Sequence, residues 1–374
     1  IRKYVINADG SFIATNDVAV LINEERAVKV YAQYYFNYNR SLENLEVVEA
    51  FTQKPDGRKF AVQPDQIKEQ QERGSADAPM FQDTLVKVVI FPDVAVGDRL
   101  IIRSRTHRHT ALFPQHFESL SNPTFHPTKQ YTLVYDLPQS MPLYADARGF
   151  KASDPVTMAG RTIYRWDNIP DKKARIENGS VAYQDYGQYL AVSTFPDFKA
   201  FAQAYDARAK SRVTADISQL AQTITAHLVD PRDKAIALND WVRKNIRYVA
   251  VYVGAGSVVP NPVETILANR YGDCKDHVVL LESLLAAVAI ESTPALLNAE
   301  NAYTLPKVPT LGVINHVITY IPTLDLYLDS TAEGVAGGYL PIFNLDKPVV
   351  FSKSGTLGRT PSTQDGKVES NTVF

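Results

Sequence analysis

The sequence lacks the features that a disulfide-rich, membrane-spanning or strongly basic protein needs. Its 374 residues include one cysteine, Cys274, so no disulfide can form within the chain, although this alone does not fix the compartment. The longest apolar candidate, Val278 to Ile290, is shorter than the roughly 18–20 residues of a membrane span and contains Glu282. The 39 Lys and Arg residues nearly balance 41 Asp and Glu residues. We therefore predict neither a transmembrane segment nor a nucleic-acid partner, which would need a basic surface.

Composition and length indicate an ordinary globular chain of more than one domain. The sequence is 45% hydrophobic and 21% charged, and its length predicts two or three domains. It begins at Ile1, with no Met and no charged-then-apolar leader. We therefore expect a processed product from which any signal peptide has been removed.

The first half of the chain reads as β structure and predicts an N-terminal domain over residues 1–190. Lys3–Asn7 and Ser11–Ile22 are extended runs on either side of Asp9-Gly10, a hairpin signal. Lys68–Ala78 is polar and predicts an exposed loop. Further β-like runs are Tyr31–Tyr38, Glu43–Thr52, Val86–Phe91, Arg99–Thr106, Tyr131–Tyr135 and Arg161–Trp166. Short strands with repeated turn signals favour an antiparallel, sandwich-like architecture.

The second half changes to an α+β pattern, which predicts a second domain over residues 195–350. The predicted helices are Asp197–Ser211, Asp216–His227, Asp233–Asn245, Pro262–Ala268 and Cys274–Ala289. The predicted strands are Ile246–Val253, Thr293–Leu297, Val313–Ile321 and Asp325–Asp329. Residues 351–374 are polar and predict a tail or the start of a further segment. The fold class is therefore α+β, with helices followed by an antiparallel sheet.

Cys274 is the first candidate for chemistry because it lies at the predicted start of a long helix. Exposed N–H groups and the positive end of the helix dipole stabilise a thiolate there. Gly272 permits a close backbone approach just before the helix. The alternative is a buried structural cysteine, which is the commoner state of a lone thiol. Polar neighbours on both sides of Cys274 argue against that alternative.

A thiol nucleophile needs a base, and seven histidines are available: His107, His109, His116, His126, His227, His277 and His316. His277 lies one helical turn after Cys274, although a histidine there is more often on the surface. His107 and His109 share one face of a strand, which leaves a minor hypothesis of a metal site without a third ligand. We therefore predict no metal and no cofactor.

His316 has a carboxylate partner by strand geometry. If Pro322 and Thr323 form a two-residue turn, Ile321 pairs with the first residue after the turn, Leu324. Counting back along both strands then places His316 directly opposite Asp329. A loop longer by two residues keeps the pair diagonal on one face, whereas a slip of one residue separates it. The alternative is an ordinary polar pair on a solvated face. The chain order is thus cysteine, histidine, aspartate.

At this point the sequence resembles the bacterial transglutaminase-like superfamily, a papain-related cysteine fold, over about residues 195–345. The motifs that carry the resemblance are Ile246-Arg247-Tyr248, Pro260, Arg270-Tyr271-Gly272-Asp273-Cys274-Lys275-Asp276, Asn315-His316-Val317 and Leu328-Asp329-Ser330-Thr331. The β-rich half resembles the domain of unknown function that commonly precedes this module, through Asp9-Gly10, Pro55-Asp56-Gly57, Phe91-Pro92, Val96-Gly97-Asp98 and Val192-Ser193-Thr194-Phe195.

The resemblance implies a role for each residue of the triad. Cys274 matches the nucleophile, His316 the base and Asp329 the acid that orients the base. The family usually has Lys where His277 stands and Pro where Ser330 stands, and neither departure touches the triad. Lys275 and Asp276 match frequent family residues and are interpreted as structural.

An oxyanion hole needs preorganised donors, and the backbone N–H of Cys274 is the natural first one. Trp241 is a candidate for the second by residue type, although its helical stripe favours a place in the core. Tyr252 is the alternative.

Two functions remain open. The leading one is a cysteine peptidase, amidase or transglutaminase-like enzyme acting on a protein, peptide or amide through a thioester, and we favour hydrolysis because amine transfer requires water to be excluded. The alternative is a non-catalytic binding or assembly protein that keeps the fold as a scaffold. The β-rich half suits glycan or protein binding. Resemblance also implies a periplasmic or secreted location.

Overall fold

The computed structural model describes residues 1–71, 81, 83–123, 128–170, 177–249 and 258–362. The described chain divides into two compact units. The first contains residues 1–170 and 187–195, and the second contains residues 177–186, 196–249 and 258–362. Across these described ranges, no helix combines the length and the apolar character needed to cross a membrane.

The first unit is built almost entirely from strands. It contains one α-helix among its described residues, α1 (Glu25–Tyr31). The strands are β1 (Arg2–Ile6), β2 (Phe12–Leu21), β3 (Gln33–Asn39), β4 (Glu43–Gln53), β5 (Lys59–Ala61), β6 (Ile67–Gln71), β7 (Thr84–Ile90), β8 (Arg99–Arg108), β9 (Glu118–Ser121), β10 (Thr132–Pro138), β11 (Tyr144–Arg148), β12 (Phe150–Ala152), β13 (Val156–Met158), β14 (Arg161–Asn168) and β15 (Tyr189–Ser193).

These strands form one large mixed sheet and two smaller antiparallel sheets. The large sheet has the order β12-β14-β10-β1-β2-β8-β4-β5, and β13 adds to β14. β3, β7 and β6 form a second sheet, and β11, β15 and β9 form a third. The predicted Asp9-Gly10 hairpin is confirmed: β1 and β2 are antiparallel, and Gly10 has φ +86°, which favours glycine.

The second unit places helices before a sheet. Its helices are α2 (Tyr183–Tyr186), α3 (Phe198–Asp206), α4 (Ala215–Thr225), α5 (Pro231–Asn245), α6 (Val263–Asn269) and α7 (Cys274–Ala287). Its strands are β16 (Arg247–Tyr248), β17 (Tyr271–Gly272), β18 (Thr293–Leu297), β19 (His316–Ile321), β20 (Leu326–Leu328), β21 (Pro348–Phe351) and β22 (Leu357–Arg359). β16 pairs with β17 in parallel, whereas β20-β19-β18-β21-β22 form an antiparallel sheet.

The core of the second unit lies around α7. Apolar side chains of α4, α5 and α6 pack against the face of α7 that carries Leu281 and Leu284. Ile321 of β19 and Leu328 of β20 belong to the same core. Packing of α7 against β19 therefore fixes the start of α7 relative to the hairpin that follows.

The predicted α+β fold class is confirmed, with local corrections. The β-rich half is not wholly antiparallel, because β1 pairs with β10 in parallel. The predicted loop Lys68–Ala78 is wrong in its first four residues, because Lys68 to Gln71 belong to β6 at the edge of a sheet. The predicted strand Ile246–Val253 is observed only as β16, and its residues 250–253 lie outside the described residues. The predicted domain boundaries stay predictions, and β22 falls within the predicted polar tail.

Candidate active site

The first turn of α7 holds Cys274 in a network of buried charges. Asp273 is the N-cap: its carboxylate accepts hydrogen bonds from the backbone N–H groups of Lys275 and Asp276. The ammonium of Lys275 also donates to the Asp273 carboxylate, and both side chains are buried. Burial raises the pKa of Asp273, and the Lys275 ammonium opposes that shift. Cys274 therefore begins a helix whose entry is fixed by a buried ion pair.

Asp276 ties a preceding loop to this turn. Its carboxylate accepts from the backbone N–H of Asn261 at 2.7 Å and from the Asn261 side chain at 2.9 Å. A Cβ on Gly272 would lie 2.6 Å from the Cβ of Asp276, so only glycine fits this approach. These contacts agree with the structural roles predicted for Lys275 and Asp276.

The hairpin after α7 places His316 and Asp329 on one face, but its turn differs from the expectation. A two-residue turn is wrong: Ile321 pairs with Leu326, and Asp325 ends the turn with φ +43°. The pairing is thus offset by two residues, which makes His316 and Asp329 diagonal neighbours, the second arrangement considered above. The aspartate is still close enough to bond the histidine.

His316 lies between the acid and the thiol. Its Nε2 is 3.1 Å from Oδ2 of Asp329, and Cys274 is close enough to act electrostatically on the imidazole. Burial disfavours the charged imidazole, but the Asp329 carboxylate and then Cys274 outweigh burial and raise the pKa of His316 to about 10. The geometry brings the three predicted residues together.

Asp329 is held by donors that the sequence did not reveal as part of the site. Its Oδ1 accepts from the backbone N–H of Thr331 at 2.9 Å and from its hydroxyl at 2.7 Å. Its Oδ2 accepts from Nδ2 of Asn344 at 2.7 Å, and Asn344 is fully buried. Burial alone would raise the pKa of Asp329, but His316 and Thr331 keep it below its usual value. Thr331 was visible in a motif, whereas no sequence signal pointed to Asn344.

His277 is buried, which corrects the expectation of a surface residue. Its Nδ1 lies 3.0 Å from the carbonyl of Ser330, the residue after Asp329. Burial lowers the pKa of His277 to about 4, so the ring is neutral at physiological pH. The ring of Tyr248 stands edge-on to His277 at 5.8 Å and to His316 at 6.4 Å between ring centroids. His277 therefore supports the segment that carries the acid.

Neither candidate for the second oxyanion donor gains support from the described residues. Trp241 packs against the apolar core, and the guanidinium of Arg270 lies 5.6 Å from its ring centroid. These contacts favour the core role. Tyr252 lies outside the described residues. Among the described residues, no group accepts the backbone N–H of Cys274, which leaves it as a candidate donor.

The minor metal hypothesis gains no support. The rings of His107 and His109 lie 6.2 Å apart between centroids. Within the described residues, no group of three His, Cys, Asp or Glu side chains is arranged to hold a metal ion.

All three side chains of the candidate triad are buried. Cys274 is 1% exposed, Asp329 is 4% exposed and His316 is 5% exposed. Polar groups, among them Lys275 and Asp276, are buried with the sulfur, so it does not lie in a purely hydrocarbon environment. A substrate can reach it only if neighbouring groups move.

Comparison with known families and structures agrees with this architecture. Residues 8–171 match the model of a domain of unknown function, DUF3857. Residues 218–303 match the transglutaminase-like superfamily, a range that includes Cys274 and ends before His316. No curated protein matches the sequence.

The chain also matches solved structures. One, described as a "putative protease" from Parabacteroides distasonis ATCC 8503, is 19% identical with a TM-score of 0.85, and the match covers 97% of this chain and 70% of that one. Another, described as a "putative cysteine protease" from Cytophaga hutchinsonii, is 12% identical over 88% of this chain and 80% of that one. Its TM-score of 0.24 supports no structural conclusion. Residues 8–171 therefore form an N-terminal DUF3857 domain, and residues 218–303 belong to a transglutaminase-like core.

Proposed function

We propose that the protein is a cysteine acyl-transfer enzyme in which Cys274 is the nucleophile, His316 the general base and acid, and Asp329 the group that orients His316. The observation that carries the proposal is the 3.1 Å contact between Asp329 and His316, together with the electrostatic interaction of the same imidazole with Cys274 at a helix start. A carboxylate that fixes the imidazole and a base that contacts the thiol are the requirements for thiol activation.

The reaction begins when the Cys274 proton resides on His316. The pKa of His316, raised to about 10, favours the imidazolium at physiological pH. The thiolate then attacks the carbonyl carbon of an amide, a C–S bond forms, and the negative charge moves to the carbonyl oxygen. The Cys274 backbone N–H stabilises that oxyanion. His316 next donates its proton to the leaving amine as the C–N bond breaks, which leaves a thioester.

The second half of the reaction decides the type of enzyme. Water attacks the thioester while His316 accepts a proton, and a carboxylic acid and the free thiol are released. An amine in place of water would give a new amide. We propose hydrolysis as the main outcome, so the substrate class is a protein, peptide or simple amide. Export to the periplasm or the medium stays a prediction from resemblance.

The test is to trap the thioester. The protein is incubated with a mixture of synthetic peptides, in one reaction without hydroxylamine and in a second reaction with it. The products of both reactions are analysed by mass spectrometry. Hydrolysed peptides in water, hydroxamates in hydroxylamine, and neither product with Cys274→Ala are the expected results. Dansylcadaverine as the amine tests for transfer. Cleavage that persists in Cys274→Ala would contradict the proposal.

The burial of Cys274 favours a second candidate, the non-catalytic scaffold. A thiol that is 1% exposed cannot meet a polypeptide in this conformation. If the fold is only a scaffold, alkylation of Cys274 by iodoacetamide should be unchanged by His316→Ala at every pH. The acyl-transfer proposal predicts instead that the variant loses reactivity at neutral and acidic pH.

A further inference from the structure

The first unit contains a cavity of about 420 Å³ that lies between the large sheet and β3. This volume falls within the usual range for small-molecule sites. The cavity is lined by residues of the first unit alone, so it is separate from the residues proposed for acyl transfer.

Strand register explains why a hollow exists there. β2 and β8 pair so that Asn16 lies opposite Ser104 and Ala14 lies opposite Thr106. These small side chains form the floor. Aromatic side chains stand around them, with Tyr4 and Phe12 on the large sheet and Tyr34 on β3. Because neighbouring side chains are large and the central ones are small, the two sheets cannot close over this area.

The same face of the same strands is apolar a few residues further along. There Val18 lies opposite Ile102, and Val20 lies opposite Leu100, and all four side chains belong to an apolar core. Between Val18–Ile102 and Asn16–Ser104, the same face of the sheet changes from an apolar pair to a polar pair. Polar side chains between two sheets are unfavourable unless a polar group meets them. The cavity is therefore not simply an underfilled part of the apolar core.

The charges around the cavity balance. Arg108 pairs with Glu43 at 2.8 Å, and both side chains are largely buried. Arg2 lies over the ring of Tyr4 at 5.0 Å from the centroid, and Glu118 is the second acid of the lining. Two cationic and two anionic side chains give no net charge, which disfavours a strongly charged ligand.

We propose that this cavity binds an uncharged carbohydrate. The flat C–H face of a sugar ring packs on aromatic side chains, and its hydroxyl groups both donate and accept hydrogen bonds. The lining supplies both functions: Arg2 donates, Glu43 accepts, and Asn16 does both. A wholly apolar ligand would make no use of these polar groups. The proposal is independent of the chemistry at Cys274.

The test measures binding of four uncharged trisaccharides to the full chain: maltotriose, cellotriose, xylotriose and triacetylchitotriose. Saturation-transfer NMR detects binding, and calorimetry gives the affinity. Ala14→Leu fills the floor of the cavity and is expected to weaken binding at least about tenfold. Ala19→Leu is the matched control, because it makes the same change on the same strand at an exposed position and is expected to bind like the wild type.

A second variant keeps the proposal testable if Ala14→Leu does not fold. Arg2 is exposed, so Arg2→Ala is expected to leave the fold intact and also to weaken binding. Circular dichroism checks that every variant is folded. The proposal is overturned if none of the four sugars binds the wild type at concentrations up to about 10 mM. It is equally overturned if folded Ala14→Leu and Arg2→Ala both bind a sugar with unchanged affinity.

Discussion

At the scale of single residues, His316 is the centre of the proposed site, because its imidazole bonds Asp329 and interacts electrostatically with Cys274. The carboxylate of Asp329 keeps the imidazole charged although it is buried. The neighbouring His277 has the opposite behaviour, since it meets a carbonyl and burial keeps it neutral. Two buried histidines of one unit thus differ in charge because of their partners.

This difference predicts how stability depends on pH. The pKa of His316 is about 10 in the folded protein against an ordinary value of 6.5, so folding favours its protonated form. Its contribution to the free energy of unfolding is fully present below about pH 6.5 and is lost as pH rises through about 10. Urea unfolding of the wild type and of His316→Ala from pH 6 to 10.5 checks this. A stability difference that grows towards pH 10.5 would contradict it.

Asn344 is predicted to position Asp329. Its side chain donates to Oδ2, the same oxygen that faces His316. Asn344→Ser should lower kcat about tenfold to a hundredfold with a small change in KM, because one hydrogen bond to a charged group is lost. Peptide hydrolysis and iodoacetamide alkylation measure the effect.

The control for this variant is another buried asparagine. Asn298 donates to the carbonyl of Val313 at 2.8 Å and is not bonded to the triad. Asn298→Ser should lower stability and leave the alkylation rate of the folded protein unchanged. Equal effects of Asn344→Ser and Asn298→Ser on the alkylation rate would contradict a positioning role for Asn344 and leave it a structural role alone.

At the scale of elements, local patterns predicted the helices and strands well and the turn between β19 and β20 poorly. The helix predicted from Cys274 begins there as α7, and the structure adds its N-cap, Asp273. The turn failed because Pro322 begins a 3-10 turn and Asp325 adopts a left-handed conformation, which the dipeptide Pro322-Thr323 does not indicate. Asn344 was not predictable, because it reaches Asp329 through tertiary folding rather than through a local pattern.

The entry to α7 should be unusually sensitive to mutation. Asp273→Ala removes an N-cap and leaves the buried Lys275 without its ion-pair partner, which should cost about 3–5 kcal/mol in the free energy of unfolding. Asp197 caps α3 through the N–H of Ala200 and is exposed, so Asp197→Ala should cost only about 1 kcal/mol. Urea unfolding compares the two. Similar losses of unfolding free energy in the two variants would show that the ion pair between Asp273 and Lys275 adds no stability beyond that of an N-cap.

At the scale of the whole molecule, the sequence predicted the kind of fold in each half but not what each half offers chemically. Strand-like runs indicated a β-rich first half, but the cavity depends on the register of β2 with β8, which no single run determines. The order of Cys274, His316 and Asp329 indicated a triad, whereas their burial follows from how α7 packs on the sheet.

The burial of the site predicts that access is size-dependent. A small maleimide such as N-ethylmaleimide should modify Cys274 much faster than a maleimide attached to a polyethylene glycol chain, and about 2 M urea should reduce the difference. Because Cys274 is the only cysteine, intact mass reports this site alone. Equal rates for both reagents in the native protein would show that the thiol is openly accessible.

The most direct measurement is the rate at which iodoacetamide alkylates Cys274 at pH 6 in the wild type, His316→Ala and His227→Ala. His227 is an exposed histidine of the same unit and serves as the matched control. We expect His316→Ala to react at least about tenfold more slowly, because it lacks the group that takes the thiol proton, and His227→Ala to react like the wild type. A His316→Ala protein that is folded and reacts as fast as the wild type would contradict a nucleophile activated by His316.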